Sequence, residues 1–201
     1  MIDVRAIQIL PECATVTDPV QTQPQQYQLT SLLGDLGCVP FVLLTAVMVD
    51  AWVNGQGLHS ASLFGLYAPY VFIAYSAVIL SFLSGALWER SRLSDQARPP
   101  AAAILFSNLV ALNAWASLLL IYLAPFMTLF AVALLMAGFL SLLWVERMAF
   151  AGTSQITQIT QNSQITQSSY WSMRLRITAL VVIMHAVVLA LMVQTLMMQG
   201  V

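Results

Sequence analysis

The sequence has no lysine and little charge of any kind: 7% of its 201 residues are charged, where a soluble domain carries about 25%. That leaves too little polar surface to cover a water-soluble globule. A hydrophobic content of 60% and a mean hydropathy of +0.83 point to lipid as the solvent. The seven basic residues are all arginine and the net charge is -1, which excludes the basic patch of a nucleic-acid binder. Cysteine is scarce too. Cys13 and Cys38 are expected at different depths, so no disulfide framework is expected. A basic segment followed by an apolar stretch is missing near the N-terminus, and Arg5 stands against Asp3, Glu12 and Asp18, so no cleavable targeting signal is expected. Also missing are HExxH, a glycine-rich phosphate loop and an intramembrane Ser–His or Asp pair. No catalytic residue, metal site or cofactor is expected, and the chain is not expected to be an enzyme.

What the chain does have is five apolar runs, at about 31–53, 66–88, 101–122, 126–145 and 175–197. Each is long enough to cross the hydrocarbon as a helix, which takes about 20 residues. A β-barrel strand would alternate polar and apolar residues over about 10 positions. These runs are continuously apolar, so the expected fold is all-α: a five-transmembrane-helix bundle over 31–198. Residues 1–30 read as a disordered polar tail, rich in Gln, Thr and Pro after Pro11. Residues 150–170 read as a low-complexity loop in which Gln-Ile-Thr recurs at 155, 158 and 164.

Five spans place Arg5, Arg90, Arg92, Arg98, Arg147, Arg174 and Arg176 all on one side. The positive-inside rule then puts the N-terminus in the cytoplasm and the C-terminus outside. Trp52, Trp88, Tyr122, Trp144 and Trp171 fall near span ends, where an aromatic belt belongs.

Small residues recur along two spans. Ala77, Ser81 and Gly85 are spaced four apart, widened by Ser84, and Ala133, Ala137 and Ser141 repeat the spacing in the fourth span. Lipid gives helices no hydrophobic reason to associate, so small residues that admit close approach are expected to pack helices together. Glu89, Arg90, Glu146, Arg147, Arg174 and Arg176 are expected to form a cytoplasmic charge collar, with the glutamates paired to the arginines of the fifth span. Asn108, Asn113 and Trp115 of the third span and His185 of the fifth are the polar or ligand-contact candidates. Asn108 and Trp115 share a face expected to point inward, and intramembrane amides are expected to bond across helices. His185 lies near mid-span, where an ionisable group is a functional candidate. It lacks the second axial ligand of a haem site and the converging ligands of a metal site, because His59, the other histidine, is in an outer loop.

The stretches LGDLGCVPFVLLTA (33–46), AVILSFLSGALWE (77–89), AGFLSLLWVERMA (137–149) and YWSMRLRITALVVI (170–183) resemble a family of bacterial inner-membrane proteins, domain of unknown function 3429, with a mitochondrial transmembrane relative. The resemblance implies a five-helix, multi-pass protein of the bacterial inner membrane and implies no activity. The expected function is structural: an assembly or interaction protein whose partners are the lipid bilayer and other membrane proteins, with a homo-oligomer also open. The alternative is a protein that binds or transports a small molecule (a lipid, tetrapyrrole or metabolite), which requires an inward cavity lined by Asn108, Trp115 and His185.

Overall fold

The computed structural model describes residues 32, 34–92, 101–123, 125–150 and 161–198. The expectations for the tail 1–30, for Arg98 and for the first two Gln-Ile-Thr repeats lie outside the described residues.

Five helices organise the chain: α1 (Val39–Val53), α2 (Ala68–Arg92), α3 (Ala101–Leu123), α4 (Thr128–Phe150) and α5 (Gln161–Met198). All five are long and apolar enough to cross a membrane, α1 when counted with the helical turn ahead of it as Gly34–Val53. Pro40 lies at the start of α1, where a missing N–H breaks no ladder bond. The α1–α2 connection holds a two-stranded hairpin, β1 (Ser62–Leu63) and β2 (Leu66–Tyr67), in the register Ser62 to Tyr67. Its two turn residues, Phe64 and Gly65, have φ of 52° and 77°. This sign at both positions suits the right-handed twist of a two-residue hairpin. A phenylalanine tolerates it poorly, and Phe64 stands 95% exposed at the tip.

α5 corrects one expectation. Residues 161–170 are helical, although the sequence reads there as part of a low-complexity loop. The apolar run begins only near Leu175, but a helix nucleated in lipid extends outward at little further cost. Gln also has good helix propensity.

The helices form a ring. Each packs on the next in sequence, α5 returns to α1, and α2 meets α4 across the middle. The interior holds Phe41, Phe72, Leu80, Leu135, Phe139 and Val188, all essentially inaccessible. Phe41 meets Phe72 and Phe139 edge-on at 5.6 and 6.4 Å, the geometry the ring quadrupoles favour.

The tightest approach in the middle is at Gly138 of α4. A side-chain carbon placed there would lie 2.6 Å from Leu80 Cδ2 and 2.9 Å from Asn113 Nδ2. The bare backbone leaves room for the Asn113 amide to donate to the Leu134 carbonyl at 3.0 Å, tying α3 to α4. One glycine thus lets three helices converge. Gly138→Val is expected to lower the unfolding midpoint in mild detergent, by an overpacking penalty of about 1–3 kcal/mol. Gly85→Val, at a position with nothing within 4 Å of an added carbon, should leave the midpoint in place.

Candidate functional site

The expected small-residue stripe splits between two environments. Ala77 and Ser84 are buried inside the bundle, whereas Ser81 and Gly85 are exposed. In α4, Ala137 is exposed and Ser141 half-buried, and the close contact belongs to Gly138 instead. The four-residue spacing does not mark one packed face within the chain. The buried face of α2 instead runs through Phe72, Ser76, Ala77, Leu80, Ser84, Leu87 and Ser91. Its three serines bond carbonyls of their own helix, those of Phe72, Ser81 and Leu87, at 2.7 to 2.8 Å. Each hydroxyl thus satisfies its donor on a carbonyl of its own helix.

The third-span candidates separate in the same way. Asn113 bonds across to α4, as intramembrane amides are expected to do. Asn108 is exposed and donates to the Ile104 carbonyl of its own helix at 3.0 Å. Trp115 is 59% exposed. The face they share points outward, which corrects the expectation that it turns inward. Their separation leaves α3 to pack through Ala103, Ser107, Val110, Ala114 and Ser117, a narrow seam of small residues that turns the bulky ones to lipid.

His185 is fully buried. Its Nδ1 donates to the Val181 carbonyl at 2.8 Å, one turn back along α5. A carbonyl can only accept, so a proton is on Nδ1, and in the neutral ring Nε2 then presents a lone pair. Phe41, Phe72 and Phe139 surround the ring at 5.8, 4.8 and 5.4 Å. Nε2 has no hydrogen-bond partner among the described residues, and the same holds for Thr45 Oγ1. No group of three His, Cys, Asp or Glu side chains is placed to hold a metal among the described residues. His185 thus lies inside the bundle, whereas Asn108 and Trp115 lie on its outer face.

At the opposite pole of the bundle chemistry, Glu146 is buried and takes two arginines. Arg90 Nη1 donates to Oε1 at 3.2 Å and Arg174 Nε to Oε2 at 3.0 Å. The charge collar is thus a three-helix clasp joining α2, α4 and α5, with one arginine on each carboxylate oxygen. Glu89 and Arg147 are exposed beside it, and Arg92 lies over the Trp88 ring at 4.7 Å. Arg176 does not join Glu146. It reaches Asp35 ahead of α1, with Nη2 at 2.8 and 2.9 Å from the two carboxylate oxygens. Residue order alone had no means of choosing Asp35 as the partner of Arg176. It also missed Tyr75, whose hydroxyl donates to the Gly37 carbonyl at 2.8 Å and fastens α2 to the turn before Pro40.

Two substitutions separate these roles. Glu146→Ala leaves Arg174, itself buried, without its carboxylate, and should destabilise the protein by about 3–5 kcal/mol. Replacing both Glu146 and Arg174 by leucine should recover most of that loss, as read by unfolding in detergent. His185→Leu removes a buried acceptor that has no donor and keeps the volume similar, so the unfolding midpoint is expected to hold or rise.

No curated protein matches this sequence, and no solved structure matches this fold. The model of one family, proteins of unknown function under the designation DUF3429, covers residues 27–190, well over half of the chain. That match takes in α1 to α4, α5 as far as residue 190 and all three arginine–carboxylate contacts described above: this chain belongs to the DUF3429 family.

Proposed function

We propose that this chain is a structural or assembly protein of a bacterial inner membrane, without catalysis of its own, which binds other membrane proteins through the outer face of α2. The observation that carries this reading is Gly85. A glycine within a helix costs about 1 kcal/mol relative to alanine. At Gly138 packing by Leu80 and Asn113 offsets that cost, but at Gly85 nothing among the described residues comes within 4 Å of an added carbon. Gly85 lies on an exposed strip with Ala74, Val78 and Ser81. A flat strip of this kind admits the backbone of a neighbouring helix, and in lipid close approach is a main source of helix association.

The gathering of Arg90, Arg92, Arg147, Arg174 and Arg176 at one end of the bundle supports an N-terminus in the cytoplasm. The likeness of residues 33–46 and 77–89 to bacterial inner-membrane proteins supports the location.

A photo-crosslinking side chain at Ser81 is expected to capture a protein neighbour in intact membranes. The same group at Leu109, on the exposed face of α3, is expected to capture lipid. Gly85→Leu should reduce the Ser81 adduct about tenfold, the size of a close helix contact worth 1–2 kcal/mol. Lipid adducts alone at both positions would overturn the assembly reading.

A further inference from the structure

The ring of helices is closed at its seam by α1 and α5, and the seam is not flush. Ahead of α1, Gly34 lies against α5, where an added carbon would meet Ile177 Cδ1 at 2.7 Å. From there a groove of about 660 Å³ opens toward the bilayer, lined by Val39, Val42, Leu43 and Ala46 of α1 and by Ile177 and Leu180 of α5. Its volume lies within the range of about 300–1,000 Å³ that suits a single small ligand. The lining is apolar except at one end, where Asp35 and Arg176 stand as an ion pair.

Three features of this groove select its occupant. The first is depth. From Val39 to Val47 the groove follows eight residue steps of α1, roughly 12 Å at 1.5 Å per residue, with Asp35 beyond its mouth. One leaflet of hydrocarbon is about 15 Å thick, half of the core. The groove therefore lies within a single leaflet. The second is level. Arg176 is two residues beyond Arg174 on α5, so the ion pair sits beside the charged clasp at the end of the bundle, at headgroup height. The third is charge. Both members of the pair are exposed, with side chains 62% and 53% accessible, so both remain open to a further partner. Asp35 engages Nη2 alone, leaving the Nη1 and Nε side of the guanidinium directed elsewhere. A carboxylate and a guanidinium side by side match a headgroup that carries an ammonium and a phosphate side by side.

We infer that the α1–α5 groove is a binding site for one phospholipid with a primary-amine headgroup, of the phosphatidylethanolamine class. One acyl chain lies along Val39 to Ala46, the phosphate accepts hydrogen bonds from Arg176, and the ammonium donates to Asp35. A phosphatidylglycerol headgroup would bring its phosphate to Arg176 but meet Asp35 with neutral hydroxyl donors only, which make weaker hydrogen bonds to a carboxylate than an ammonium does. A bare hydrocarbon chain would fill the groove and leave the ion pair unused. This site is on a different face from Gly85 and does not depend on the assembly reading.

The test uses the full chain in mild detergent, supplied with equimolar phosphatidylethanolamine, phosphatidylglycerol and phosphatidylcholine, with retained lipid counted by native mass spectrometry. One phosphatidylethanolamine per chain is expected to survive, in excess over the other two. Asp35→Ser should lower its excess by a factor of about 3, the effect of losing one exposed charge contact. Arg176→Gln should weaken retention of every phospholipid. Ala46→Trp, which fills the groove, should abolish retention, while Leu109→Trp, on the exposed face of α3, should not. In the unaltered protein, a phosphatidylethanolamine with a photoreactive acyl chain is expected to label the peptide 39–47 or 177–180, which keeps the test decisive should a variant fail to fold. Equal retention of the three lipids, retention by Ala46→Trp, or labelling confined to other helices would each overturn the proposal. Capture of a protein helix in the groove in place of lipid would do the same.

Discussion

Gly138 is the point on which the bundle depends. In water, burial of apolar surface would hold five such helices together whatever their local fit. In lipid that force is absent, and what remains is close packing and the internal satisfaction of polar groups. Gly138 serves both. It admits Leu80 from α2, and it leaves the space through which Asn113 of α3 reaches the α4 backbone. The diagonal meeting of α2 and α4 that fills the middle of the ring follows from it.

A second constraint acts at the arginine-rich end. Glu146 is buried against two guanidinium groups on two different helices. Such a cluster is a modest source of net stability, because the charges lose hydration on folding. It is a strong source of register, since any slippage of α2 or α5 along α4 would strand a charge. Gly138 sets how close the helices come, and Glu146 sets how far along one another they lie. Two helical turns separate them on α4, so the same element carries both functions.

Buried hydroxyls on several helices find acceptors in their own backbone. Ser76, Ser84, Ser91 and Ser117 bond the carbonyls of their own turns. His185 does likewise through Nδ1 and is otherwise enclosed by phenylalanine. This frees the bundle surface to differ around its circumference. One sector, on α2, exposes the small residues Ala74, Ser81 and Gly85 beside Val78 and Phe82. Another, at the α1–α5 seam, is concave and ends in paired charges. A third, on α3, is a bulky face carrying Leu105, Leu109, Leu112 and Trp115, which suits lipid tails.

Five apolar helices, the clustering of arginine at one end and the family could all be read from residue order. These properties reside in composition and in spacing along one chain segment: a run of twenty apolar residues has few other conformations open to it in lipid. The rotation of each helix could not be read in the same way. With apolar residues on every side, the pattern of hydrophobicity does not distinguish the face toward neighbours from the face toward lipid, since both environments are apolar. Ser81 and Gly85 therefore looked equivalent to Ala77, and Asn108 to Asn113, until packing divided them. The ion-pair partners were legible only in part. The pairing of Glu146 with an arginine of the fifth span could be read from residue order, but the choice of Arg174 over Arg176, the addition of Arg90, and the pairing of Asp35 with Arg176 waited on the tilt and depth of whole helices. Those are set by where Gly138 lets three of them meet, a property of contacts between segments and not of any segment alone.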